Sequence, residues 1–164
     1  MQTWTDTEAF ARHVQANLSS VSLVGIDGWT GVGKTTLATN LAKAAGGQCL
    51  DLDEFLERDR KRYVGAIRLD ELRSSLSTSA RPLFISGICI REVLTEVGLT
   101  PDLNVYVKRM ASWGWADEDE LDGDVIPEVN QSGGAAGLRR EMRAYHRRWQ
   151  PHLVADCEFH IVAG

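Results

Sequence analysis

The sequence has no long apolar run, no closely spaced cysteines and no excess of positive charge, and each absence removes a class of protein. None of its apolar stretches approaches the roughly 20 residues that a membrane-spanning helix needs, so no membrane partner is expected. Cys49, Cys89 and Cys157 lie far apart without CxxC spacing, each within an apolar run. That pattern reads as buried free thiols of a reducing compartment rather than as a disulfide framework or a zinc site. The formal net charge of -5 leaves no electrostatic footprint for nucleic acid. Met1 to Asp6 carries neither a basic nor an apolar signal segment, and the expected location is cytoplasmic. With 164 residues the chain suits a single α/β domain with its own core.

What is present centres on Gly25 to Ala38, which contains Gly28-Trp29-Thr30-Gly31-Val32-Gly33-Lys34-Thr35, a complete P-loop pattern. The glycines let the backbone curl so that successive N–H groups face phosphate oxygens. Lys34 adds a point charge at the outer phosphates, and the Thr35 hydroxyl is a hard oxygen ligand suited to Mg²⁺. The helix that follows aims its positive dipole end at the same anion. Val21 to Ile26 reads as a buried strand and Thr36 to Ala44 as a helix with Leu37, Leu41 and Ala44 on one face, the context the motif requires. A nucleoside triphosphate with Mg²⁺ is therefore the expected cofactor pair. Gly28, Trp29, Thr30, Gly31, Val32, Gly33, Lys34, Thr35 and Thr36 are its expected contacts. Trp29 is read either as a flank of an acceptor pocket or as packing beneath the loop.

The rest of the chain alternates helices and strands. Thr5-Asp6-Thr7-Glu8 spells a capping box before a helix running to Leu18. Cys49 to Leu52 is a short strand delivering Asp53, and the charged run from Glu57 to Arg62 reads as a solvated helix end or a substrate clamp. A helix over Ala66 to Leu76, a strand over Pro82 to Gly87, a helix over Arg91 to Val97 and a strand over Leu103 to Val107 follow. Ala111 to Gly137, with its acidic run Asp117 to Glu120 and its small-residue tract from Ser132, suits mobile loops and a lid region within 111–148. Leu138 to Gln150 is a helix with Leu138, Met142, Tyr145 and Trp149 on one stripe, and Glu158 to Val162 is a last strand. The alternation predicts a three-layer α/β/α fold around a mostly parallel sheet of about five strands, with ligands outside the carboxyl ends of the strands.

The chain lacks the Asn-Lys-x-Asp and Asp-x-x-Gly strings of GTPases, and Leu83-Phe84-Ile85 runs into Ser86 rather than the aspartate of motor and transport ATPases. Instead it resembles the uridine kinase-like branch of small P-loop kinases. The resemblance rests on the Ile26 to Ala38 wording, Asp53-Glu54-Phe55, Phe84 to Gly87, and the stretch from Tyr145 to Asp156 with Pro151 and Ala155-Asp156. Leu56 stands where that family has tyrosine, and Ser86 where it has glutamate. The resemblance implies an ATP-dependent kinase acting on a hydroxyl of a small metabolite, possibly a nucleoside, with Asp53 beside the acceptor. Lys34 and Asp53 are the catalytic candidates, and Thr35 and Asp53 the metal candidates. Asp51 is the rival to Asp53 by spacing, and a helix-capping role for Asp53 stays open. Arg139, Arg140 and Arg143 are either lid residues that fork onto phosphate or partners of the acidic run. The competing functions are a nucleotide-binding protein without transfer activity and an antibiotic or nucleotide-sugar phosphotransferase.

Overall fold

A computed structural model of the chain describes residues 1–57, 62–122 and 134–162. The charged run at 58–61 and the tract at 123–133, read from sequence as clamp and loop, lie outside the described residues. The elements run β1 (Gln2–Trp4), α1 (Thr7–Ala16), β2 (Leu23–Gly28), α2 (Lys34–Ala45), β3 (Gln48–Asp51), α3 (Leu69–Thr78), β4 (Leu83–Ser86) and α4 (Ile90–Glu96). They continue with β5 (Leu103–Ala111), β6 (Gly114–Trp115), α5 (Glu118–Asp122), α6 (Ala135–Trp149), α7 (Pro151–Val154) and β7 (Cys157–Val162). Two 3₁₀ turns, Leu52–Phe55 and Val64–Ala66, sit between β3 and α3.

The described strands form one seven-stranded sheet in the order β1-β7-β5-β2-β4-β3, parallel throughout except for β6, which pairs antiparallel with the end of β5. The expected count of about five is corrected by the two shortest strands. β1 has three largely exposed residues and exists because Gln2, Thr3 and Trp4 register with Cys157, Glu158 and Phe159. β6 is two residues opposite Met110 and Ala111. Neither is long enough for a period-two pattern to register.

The central strands are buried over their whole length, as parallel strands covered by helices on both faces must be. Phe10, Val24, Ile26, Leu41, Phe84, Ile85 and Leu94 are among the side chains sealed inside. Burying each contributes on the order of 1.5–3 kcal/mol. Asp6, not Thr5, caps α1: its carboxylate accepts from Ala9 N at 2.7 Å. α6 starts three residues earlier than its apolar stripe implies, and part of the region read as loop is ordered as β6 and α5.

α6 is fastened along one face. His146 Nδ1 donates to the Met142 carbonyl (2.7 Å), which fixes its tautomer, so Nε2 accepts from the Tyr106 hydroxyl on β5 at 2.9 Å. Burial lowers the His146 pKa to about 4, keeping the ring neutral. Among the described residues no helix is long and apolar enough to cross a membrane.

Candidate functional site

β2 ends in Asp27-Gly28, and the chain then curls into α2. Gly28 has φ +151°, and a Cβ there would fall 2.7 Å from the Val107 carbonyl of the neighbouring strand. No side chain fits, which is how the loop lies flat against the sheet edge. Gly33, at φ +98°, occupies the N-cap of α2 and leaves the first amides of a twelve-residue helix facing the cleft. The Lys34 ammonium crosses back over the loop, donating to the carbonyls of Gly28 (3.0 Å) and Trp29 (2.6 Å). Burial lowers its pKa to about 8, with Asp27, Asp53 and Asp51 partly opposing that shift. Asp27 lies beneath the loop. Its carboxylate accepts from Gly28 N at 2.8 Å and from the Tyr145 hydroxyl of α6, and burial lifts its pKa to about 6.

The second wall comes from the exit of β3. Asp51 caps the Leu52–Phe55 turn, accepting from Asp53 N at 3.0 Å, and with its other oxygen it accepts from the Thr35 hydroxyl at 2.7 Å. The capping role left open for Asp53 thus belongs to Asp51. Asp53 is released to a different partner: its Oδ1 accepts from the Tyr63 hydroxyl at 2.7 Å. Burial, reinforced by that carboxylate, raises the Tyr63 pKa far above its ordinary value, so the phenol stays a donor. Gly87, after β4, permits this wall to close, because a Cβ there would lie 2.8 Å from the Leu52 side chain.

Between the walls is a cleft of about 440 Å³, lined by Thr30, Gly31, Gly33, Lys34, Thr35 and Thr36 on one side and by Asp51, Asp53, Leu56 and Tyr63 on the other. Ile88 and Leu138 supply apolar surface. It lies at the carboxyl ends of β2, β3 and β4, where α/β sheets bind ligands.

No family model matches the chain, and a search of curated proteins finds no match. Solved structures do match in shape. A possible uridine kinase from Bacillus stearothermophilus superposes with TM-score 0.50 at 16% identity, covering 91% of this chain and 96% of the other. A candidate fructose transport system kinase from Silicibacter sp. TM1040 gives TM-score 0.50 at 15% identity, covering 94% and 98%. The fold is that of the P-loop kinases.

Within a P-loop kinase fold, the remaining site residues expected from sequence fall into four groups. Gly31, Thr30 and Thr36 join Gly33, Lys34 and Thr35 at the cleft surface, while the Trp29 and Val32 side chains are buried, at 4% and 3% exposure. Trp29 packs beneath the loop, its ring 5.6 Å from that of His146, and does not line the cleft. Arg139 and Arg140 are exposed in the first half of α6, beside Leu138 of the cleft wall. Arg143 is held elsewhere: its guanidinium donates to the Glu120 carbonyl at 2.8 Å and to the Glu120 carboxylate at 3.3 Å. That is the pairing with the acidic run that the sequence left open.

Sequence reasoning passed over Tyr63 and Glu141. Tyr63 stands ten residues from Asp53 with the charged run between them. Glu141 reads as one more polar position on an arginine-rich helix.

Proposed function

We propose that the protein is an ATP- and Mg²⁺-dependent kinase that transfers the γ-phosphoryl group to a hydroxyl of a small metabolite, a nucleoside-like acceptor being the first class to test. The observation that carries this is the meeting, in one cleft, of the glycine loop and Lys34 with two carboxylates that have separate partners: Asp51 on Thr35 and Asp53 on Tyr63.

The donor set fits Mg²⁺. Thr35 and Asp51 offer hard oxygens side by side, and no group of three or more His, Cys, Asp or Glu side chains able to hold a metal occurs among the described residues. Mg²⁺ prefers such a site, bound through one or two carboxylates and the substrate's phosphates, over an all-protein cage. Bound there, the ion would neutralise charge on the phosphates. Because its carboxylate accepts from the Thr35 hydroxyl at 2.7 Å, Asp51 joins Thr35 as the first metal candidate in this reading, with Asp53 as the second. The fit has one odd neighbour: Ser86, paired in register with Asp51, is buried with its hydroxyl unbonded among the described residues.

The chain's own residues then divide the chemistry. The loop amides and Lys34 hold the phosphates in line, and Arg139 and Arg140 are placed to reach phosphate from the rim. Asp53, with Oδ1 occupied by Tyr63, turns Oδ2 to the acceptor. It takes the hydroxyl proton as the acceptor oxygen bonds the γ-phosphorus, and the bond to the bridging oxygen breaks with its electron pair leaving on ADP. Leu138 and Ile88 limit water beside the reacting atoms, which disfavours hydrolysis.

The test is acceptor-dependent ADP release across nucleosides, sugars, vitamins and aminoglycosides, with wild type and Asp53→Asn. The expected result is one acceptor class that accelerates release, and a loss of ~10²–10⁴-fold in Asp53→Asn at nearly unchanged ATP affinity. Slow release indifferent to every acceptor would favour a nucleotide-binding protein without transfer activity, a reading that Ser86 in place of the family's glutamate supports.

A further inference from the structure

We infer that Glu141 is a positioning residue for the acceptor end of the cleft: from α6 it caps the turn that starts at Tyr63 and so sets the Tyr63 hydroxyl against Asp53. The inference rests on the kinase reading for its catalytic meaning, and on geometry alone for its structural content.

Tyr63 and Val64 begin the 3₁₀ turn that ends at Ala66, and this turn has no side-chain cap of its own. Glu141 supplies one from 78 residues away. Its Oε2 accepts from Tyr63 N at 2.7 Å and its Oε1 from Val64 N at 3.1 Å, so both oxygens of one carboxylate are spent on two successive amides. Such charge-assisted pairs are stronger than neutral ones and fix orientation as well as distance. The excursion is also pinned at its root, where Leu56 bridges to Ile67, Arg68 N donates to the Phe55 carbonyl (2.8 Å) and Glu57 N to the Ala66 carbonyl (2.7 Å). Between root and cap the Tyr63 side chain lines the cleft, and its hydroxyl donates to Asp53 Oδ1 at 2.7 Å.

The arrangement places a carboxylate of the arginine-rich helix in series with the proposed base: Glu141, the Tyr63 main chain, the Tyr63 hydroxyl, Asp53. Leu138, one turn earlier on α6, lines the same cleft. The helix read from sequence as a lid therefore grips the acceptor-side loop through a group that is not an arginine. A shift of the order of an ångström in Tyr63 would let the Asp53 carboxylate rotate away from the acceptor, an error that costs up to ~10²-fold.

The test uses the full chain with tyrosine labelled at Cζ, in wild type, Glu141→Ala, Glu141→Gln, Asp53→Ala and, as a control at an exposed position of the same helix, Arg147→Ala. In Glu141→Ala, amide exchange at Tyr63 and Val64 is expected to accelerate, and the Tyr63 Cζ resonance to move in the direction it moves in Asp53→Ala. Glu141→Gln, which keeps one accepting oxygen, should fall between, and Arg147→Ala should match wild type. With an active acceptor in hand, Glu141→Ala is expected to lower kcat roughly tenfold to a hundredfold with the KM for ATP unchanged, and to cost nothing further in a Tyr63→Phe background. Faster amide exchange with a Tyr63 resonance still at its wild-type position would overturn the inference, as would additive effects of Glu141→Ala and Tyr63→Phe. Should Glu141→Ala unfold, the same readings on Glu141→Gln decide the matter. If no acceptor is found, the kinase reading fails while the two spectroscopic readings still test Glu141.

Discussion

At the phosphate end of the cleft the lining comes from one short segment, Thr30, Gly31 and Gly33 to Thr36. At the acceptor end the surface is assembled from side chains on separate segments: Asp51 at the end of β3, Asp53 just after it, Tyr63 at a 3₁₀ turn that Glu141 of α6 caps, Ile88 after β4 and Leu138 on α6. The first plan depends on backbone conformation, which glycine spacing encodes locally. The second depends on long-range packing, with partners up to 78 residues apart. A contiguous loop fixes what every member of a fold class must hold, a phosphate tail. A composite wall can vary side chain by side chain, and in the proposed kinase it is where acceptor choice would be set.

The sharpest way to break this contrast is Lys34→Ala. The ammonium is buried and bonded to two loop carbonyls, so its removal takes away both the counter-charge for phosphate and a brace of the loop. Transfer is expected to fall ~10²–10³-fold, the scale for losing one such donor in a partly dry site. The loss should appear in ATP affinity as well as in kcat, unlike that of Asp53→Asn. Steady-state kinetics with ATP varied would check it, and full activity in this variant would falsify the phosphate-end assignment.

How much of each end was legible follows from the same contrast. Strand, loop and helix from Leu23 to Ala45 were readable because apolar pattern and glycines agree within one short window. Placing Asp53 at a strand exit needed only the strand. Dividing labour between Asp51 and Asp53 did not follow from alternation, since β3 ends at Asp51 and Asp53 sits in a 3₁₀ turn where period two no longer holds. β1 exists only through its register with β7. Tyr63 and Glu141 make tertiary contacts without a local signal, and the Arg143–Glu120 pair is one of two sequence readings that only the tertiary contact separates.

Tyr145 tests whether α6 also supports the phosphate end. Its hydroxyl donates to Asp27 and accepts from Arg91 N at 3.2 Å, joining α6 and α4 to the floor beneath the loop. Tyr145→Phe leaves a buried carboxylate with one donor fewer, a cost of about 1–3 kcal/mol. Urea unfolding at neutral pH should show that drop, and the difference between variants should narrow below about pH 6, where Asp27 becomes protonated. Equal stability of the two proteins would mean that the floor is held by packing alone.

Acid–base titration separates the ends more gently. The Lys34 pKa is lowered by burial, so its charge is present below about pH 8 and lost above it. The kcat/KM for ATP, which reports the free enzyme, is expected to fall as pH rises through that value, approaching tenfold per unit. Bound phosphate restores the proton, so kcat itself should hold to higher pH. Folding carries the opposite sign: the unfolded chain keeps this proton up to about 10.5, so the Lys34 contribution to stability rises between those two values. A kcat/KM flat to pH 10 would show that a positive Lys34 is not needed to capture nucleotide.

The smallest expected effect distinguishes strut from lid within α6. Arg143 spends its guanidinium on the Glu120 carbonyl and carboxylate, joining α6 to α5. The two side chains are 20% and 34% exposed, a setting in which such pairs contribute up to about 1 kcal/mol. Arg143→Ala should therefore lower the urea midpoint slightly and leave the Kd for MgATP within about twofold. Arg139→Ala combined with Arg140→Ala should do the reverse, weakening MgATP with little change in stability, because those two arginines are exposed beside Leu138. Calorimetry on the two variants side by side reads the difference. If Arg143→Ala were the one that loses nucleotide, the helix would have to release Glu120 when ATP arrives, and α6 would be a moving part instead of a brace.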